Sequence, residues 1–156
     1  MNEYKSSIVK QPKYMKNLLY FFLLIGFTSC NTPSDYNDKV YLQQERLTNA
    51  LKKFLEADQT SAEKAYKDLE EQAKKSNEKI QNLELFKDDV TYLSTSKGLF
   101  MYAMQALTDE WLPIKEAKIK GEDDKILKET TLKNFNRAVI ILEKERMIFA
   151  KKYGLL

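Results

Sequence analysis

Two acidic clusters are the residues of this 156-residue chain best placed to do chemistry. Asp109-Glu110, directly before Trp111, would be a carboxylate pair for proton transfer. Glu122-Asp123-Asp124 would be a hard oxygen site for calcium. Spacing counts against both. Adjacent helix positions point apart, so Asp109 and Glu110 do not converge. The acidic triplet lacks the regular alternation of a calcium loop, and it follows Gly121, where acids suit the positive start of a helix.

The chain has no His, which excludes Ser-His-Asp and Cys-His catalysis within it and the Glu-x-x-His dimetal sites of helical bundles. Its single cysteine, Cys30, excludes an intrachain disulfide and a thiolate zinc cluster. The expectation is a non-enzyme with no cofactor and no metal. An unusual carboxylate or Lys-Tyr site is the remaining catalytic alternative.

Cys30 stands three residues behind the apolar run Leu18 to Phe27. That run is too short for a membrane-spanning helix, which needs roughly 20 apolar residues, but fits a signal-peptide core of ~7–15. Lys5, Lys10, Lys13 and Lys16 supply the positive region before it, and Met15-Lys16-Asn17 would itself open a compact signal peptide. Thr28 and Ser29 are the small residues at the cut. Phe27-Thr28-Ser29-Cys30 resembles the lipobox of bacterial lipoproteins, with Phe27 in place of the commoner Leu, and the Ser-Cys ending after an aromatic-rich core is similar to lipoproteins of the Bacteroidota. The resemblance implies cleavage between Ser29 and Cys30, diacylation of the Cys30 thiol and a further acyl chain on the new amino terminus. Two or more chains anchor far better than one. By the same resemblance, Asn31 in place of Asp fits transfer to an outer membrane. The late, sparse Asp35 and Asp38 leave open whether the protein faces the periplasm or the outside.

Without residues 1 to 29 the chain holds 22 basic and 22 acidic residues, so the excess positive charge belongs to the leader. No basic face remains to displace counterions, and nucleic acid is not an expected partner. Residues 30–35 read as a lipidated tether, with Pro33 among turn formers.

Residues 36–156 read as an all-α domain. Lys, Glu, Leu and Ala dominate and no alternating apolar-polar run appears. Val40, Leu47, Leu51 and Phe54 stripe a helix over about 36–57. Thr60-Ser61-Ala62-Glu63 has the form of a capping box for a second helix carrying Ala65, Leu69, Ala73 and Ile80. Asp88-Asp89 are N-cap candidates for a third, in which Phe100, Met104, Leu107 and Trp111 face the core. Gly98 inside it is expected to permit close helix packing, and Pro113 to kink or restart it. A last helix over about 122–153 ends in Lys151-Lys152 and Gly154, a left-handed cap. Four such helices joined by short breaks predict an antiparallel up-down four-helix bundle behind a cleaved lipoprotein signal peptide.

The candidate partner site is Trp111-Leu112-Pro113-Ile114. A proline elbow carrying Trp111 is the kind of feature binding hot spots favour, and Leu112 or Ile114 is expected to face outward. The whole reading is a lipid-anchored binding or assembly module of the cell envelope. Its membrane contact is through Cys30 and its partner an envelope protein. The alternative is a carrier of an apolar ligand in the bundle core, toward which the Met101/Met104 pair points. The tail Phe149 to Gly154 is similar to that of small helical surface lipoproteins of Bacteroidota and spirochaetes.

Overall fold

The structure, a computed structural model, describes residues 32–156. Ser29 and Cys30 lie outside the described residues. Helix α1 spans Pro33–Glu56, α2 Ala62–Gln81 and α3 Val90–Ala106; a π turn over Leu107–Trp111 leads into α4, Leu112–Lys120, and α5 is Lys125–Lys152. Helix α3, the π turn and α4 together form one rod, so the described residues make an all-α four-helix bundle without strands.

The local chemistry explains each boundary. Thr32 and Asp35 form a reciprocal capping box at the start of α1, with Pro33 in its first turn where the missing amide costs nothing. The helix therefore takes Pro33 to Asp35 from the expected tether. The box expected at Thr60–Glu63 does not form. Asp58 instead accepts from the Ser61 backbone and from the Thr60 and Ser61 hydroxyls, which holds its carboxyl at about 2. Asp89 caps α3 by accepting from the Tyr92 amide. Gly121 and Gly154 both adopt left-handed backbone, with bonds from the Glu122 amide to Ala117 and from the Leu155 amide to Ala150 that close α4 and α5.

Connections of a few residues make each rod antiparallel to the next, and the two ends of the bundle are built differently. At one end Tyr36, Phe86, Tyr92, Phe149 and Tyr153 form a continuous aromatic cluster with centroid separations of 4.7–6.0 Å. Burial and the nearby Asp89 push the Tyr36 phenol up to about 12. At the other end the closure is ionic. The Lys118 ammonium donates to the Leu55 and Ala57 carbonyls at the end of α1 and pairs with Asp124 at 3.3 Å. Lys128 holds the second Asp124 oxygen at 2.8 Å. A cation on the last carbonyls of α1 suits the negative helix terminus.

Between the ends the core is closed by side chains from Tyr36 to Phe149, so residues 32–156 supply their own interior. Phe54, Phe100, Trp111, Phe135 and Leu142 meet there. A polar layer crosses it: Gln72 donates to the Ser76 hydroxyl, which donates to Gln43, and Gln44 donates to Glu143 at 2.8 Å. No helix among the described residues is long and apolar enough to cross a membrane.

Candidate functional site

The proline elbow is core. Trp111 and Ile114 are both 0% exposed and Leu112 is half-buried. The physical reason is the π turn. Pro113 has no amide to give Asp109, and the chain accommodates this by bonding the Leu112 amide one residue further back, to the Leu107 carbonyl. The rod thus passes the proline without turning its side chains out. Tyr66 also donates to that carbonyl, at 2.9 Å, and so clips α2 to the turn. The expectation that Trp111, Leu112 and Ile114 present an apolar contact surface is corrected: only Leu112 keeps partial exposure. The Trp111 indole nitrogen has no hydrogen-bond partner among the described residues.

Asp109 and Glu110 diverge as their adjacency requires. Asp109 is exposed and bonded to Gln105 and Thr108. Glu110 is half-buried and receives the Tyr102 hydroxyl at 3.1 Å on both oxygens and the Asn134 amide at 3.3 Å. Burial, and then the charge of Glu110, push the Tyr102 phenol well above its ordinary value. Tyr102 is therefore a donor at neutral pH, and the node links the third rod to α5.

The node closes one end of a groove of about 440 Å³ between α3 and α5. Thr95, Gly98, Leu99, Ala138 and Ile141 line its apolar length, with Arg137 at the rim. Gly98 does the opposite of what its sequence position suggests. A Cβ built there meets nothing within 4 Å, so the glycine opens the groove and does not serve close packing. A second groove, about 460 Å³, runs between α1 and α5 over Leu51, Leu55, Leu132 and Phe135, flanked by Lys52, Glu56 and Lys128. A hollow of about 350 Å³ between α1 and α2 is mixed in character, with Arg46, Lys53, Asp68 and Gln72 beside Ala50 and Ala65.

The acidic triplet is divided among separate tasks. Asp123 accepts from the Lys125 amide, while Asp124 sits between Lys118 and Lys128. Burial alone would raise the Asp124 carboxyl, but the hydrogen bond from Lys128 and the charge of Lys118 outweigh it and hold it below the usual range. Lys118 moves down, through burial first and the neighbouring Lys128 second. Among the described residues no group of three His, Cys, Asp or Glu is placed to hold a metal ion.

Sequence reading singled out Glu110 but missed its partners Tyr102 and Asn134, and it missed Lys118 and both apolar grooves. Lys118 carries one available signal: it lies four residues after Ile114 on the inward stripe of α4. Met101 and Met104 do not line an internal cavity; Met101 is exposed and Met104 packs on the edge of the core. Compared with protein-family models, curated proteins and solved structures, the chain matches none.

Proposed function

We propose that this protein is a lipid-anchored component of the bacterial cell envelope, a non-catalytic binding or assembly module held to the outer membrane through an acylated Cys30. One observation carries the reading. The apolar run ends in Thr28-Ser29-Cys30, and two residues later Thr32 opens the capping box of a bundle that completes its own core. Two residues of extended chain reach no more than about 7 Å, so a lipid on Cys30 would hold the start of α1 close to the bilayer surface. The grooves on either side of α5 supply apolar contact area for an envelope partner.

Mass spectrometry of the membrane-extracted protein tests the anchor. The expected species begins at acylated Cys30, and Cys30→Ala leaves an uncleaved precursor. A free thiol on intact precursor refutes the proposal.

A second reading, carriage of an apolar ligand, is favoured by the α1/α5 groove, whose floor is Leu51, Leu55 and Phe135. The ligand would lie in that groove and not in the core. Displacement of a fluorescent fatty acid, lost in Leu132→Asp, separates carriage from partner binding.

A further inference from the structure

Among the described residues, the outward side of α5 combines apolar side chains with a strong excess of basic ones. Seven of the fourteen exposed large hydrophobic side chains belong to it. Ile126, Lys133, Arg137, Ile140, Lys144, Met147 and Lys151 follow one another at spacings of 7, 4, 3, 4, 3 and 4, a single stripe of 3.6-residue period. It lies opposite the inward Phe135, Leu142 and Phe149. Ile126 is 78% exposed and Ile140 66%, with Ile141 and Ile148 exposed beside them.

Charge separates this face from the rest of the bundle. Helix α5 holds eight basic and three acidic residues, five units positive, while the remainder of residues 30–156, with fourteen basic and nineteen acidic, is five units negative. The negative balance lies in the connections between helices, while α1 and α2 are each neutral and the third rod is one unit positive, so α5 is the strongly positive rod among the described residues. The other α5 cations that line the seams are engaged: Lys128 by Asp124, Arg146 by Glu143, Lys152 by Asp88 and Asp89. Lys133, Arg137, Lys144 and Lys151 form no ion pair among the described residues, and all four are exposed.

We propose that the outer face of α5 lies on an anionic phospholipid surface, with its isoleucines among the upper acyl carbons and its four free cations at the phosphates. Alternating branched apolar side chains and long cations are what an interfacial helix presents, the cation stems reaching up while their heads stay wet. The stripe from Ile126 to Lys151 extends about 38 Å along one helix, which suits a plane better than a pocket. A second copy is the poorer occupant, because a two-fold pairing through this stripe would set like cations against each other with only Glu129 between them. The stripe ends beside Phe149, at the same end of the bundle where the described chain begins. The inference does not depend on acylation of Cys30, so the two proposals fail separately.

The test is sedimentation of residues 31–156 with vesicles of phosphatidylglycerol and phosphatidylcholine, against vesicles of phosphatidylcholine alone. Binding is expected only with the anionic lipid, and weakening as salt rises. Each cation near an anionic surface is worth roughly fivefold in partitioning, so K144E/K151E should lose tenfold or more, and I140S/M147S should also release the protein. K64E/K67E, exposed cations on α2, should bind as wild type. Melting curves for all variants should overlay, because every substituted side chain is solvent-facing. No binding to anionic vesicles, equal binding to phosphatidylcholine, or indifference to the α5 variants overturns the proposal. So does a dimer in sedimentation equilibrium that I140S/M147S abolishes, or binding to polyglutamate without binding to vesicles.

Discussion

Tyr36, in the first turn of α1, stacks on Phe149, in the last turn of α5, with ring centroids 5.6 Å apart and planes inclined by 30°. The first and last helices of the bundle are joined here by two rings 113 positions apart in sequence. Phe149 also meets Phe86, Tyr92 and Tyr153, so one side chain fastens three of the four rods.

Phe149→Ala should therefore cost about 3–5 kcal/mol, the range for deleting a buried aromatic. Phe149→Leu, which keeps most of the volume, should cost clearly less. Urea unfolding followed by circular dichroism measures both. Equal, small losses would show that the aromatic end is not cooperative with the rest.

Gly98→Ala should stabilise the protein. The glycine has ordinary helical backbone and open space where its Cβ would stand, so only the propensity difference remains, about 0.8–1 kcal/mol in favour of Ala. A rise in the denaturation midpoint is the expected result. A fall would mean that a Cβ meets something at that groove wall.

Asp124→Asn should lower stability at neutral pH by about 1.5–3 kcal/mol, the range for hydrogen bonds to charged groups. The effect should fade in acid. The folded Asp124 carboxyl lies below its unfolded value of about 3.9, so between the two the unfolded chain binds more protons. Its stabilisation is complete above the unfolded value and is lost as pH falls through the folded one. Unfolding curves of wild type and variant should differ at pH 7 and converge as the pH falls through the folded carboxyl's lowered value.

The proline elbow gives a paired test. Ile114→Asp places an uncompensated charge in the core and should prevent folding. Leu112→Ser, at a half-buried position, should leave a folded helical protein with a modest loss. Tolerance of aspartate at 114 would return the elbow to the surface.

The apolar stripes made the bundle legible. Val40, Leu47, Phe54, Phe100 and Phe135 announce their inward faces by type and spacing, and Gly121 and Gly154 mark helix ends because few other residues adopt left-handed backbone cheaply. Polar residues at inward positions announced nothing. Gln43, Ser76 and Lys118 are buried because partners from distant segments satisfy them, and such partners appear only once the rods are assembled. Trp111 and Ile114 misled for a related reason: the π turn that keeps them inside is a backbone adjustment, invisible in residue type. The outer face of α5 was hidden differently. Its isoleucines are apolar yet exposed, because Phe135, Leu142 and Phe149 occupy the buried side of the helix, and apolar type alone assigns no purpose to an outward face.

The even number of rods has a practical corollary. Thr32 and Leu156 emerge at the aromatic end, while the 121–124 connection lies at the ionic end beside Lys118. Chain ends that emerge together make circular permutation possible. Linking Leu156 to Thr32 through a short flexible segment and opening the chain after Gly121 would leave every helix intact and move both new termini to the opposite pole, where an attached fluorophore or affinity handle would stand clear of the aromatic end.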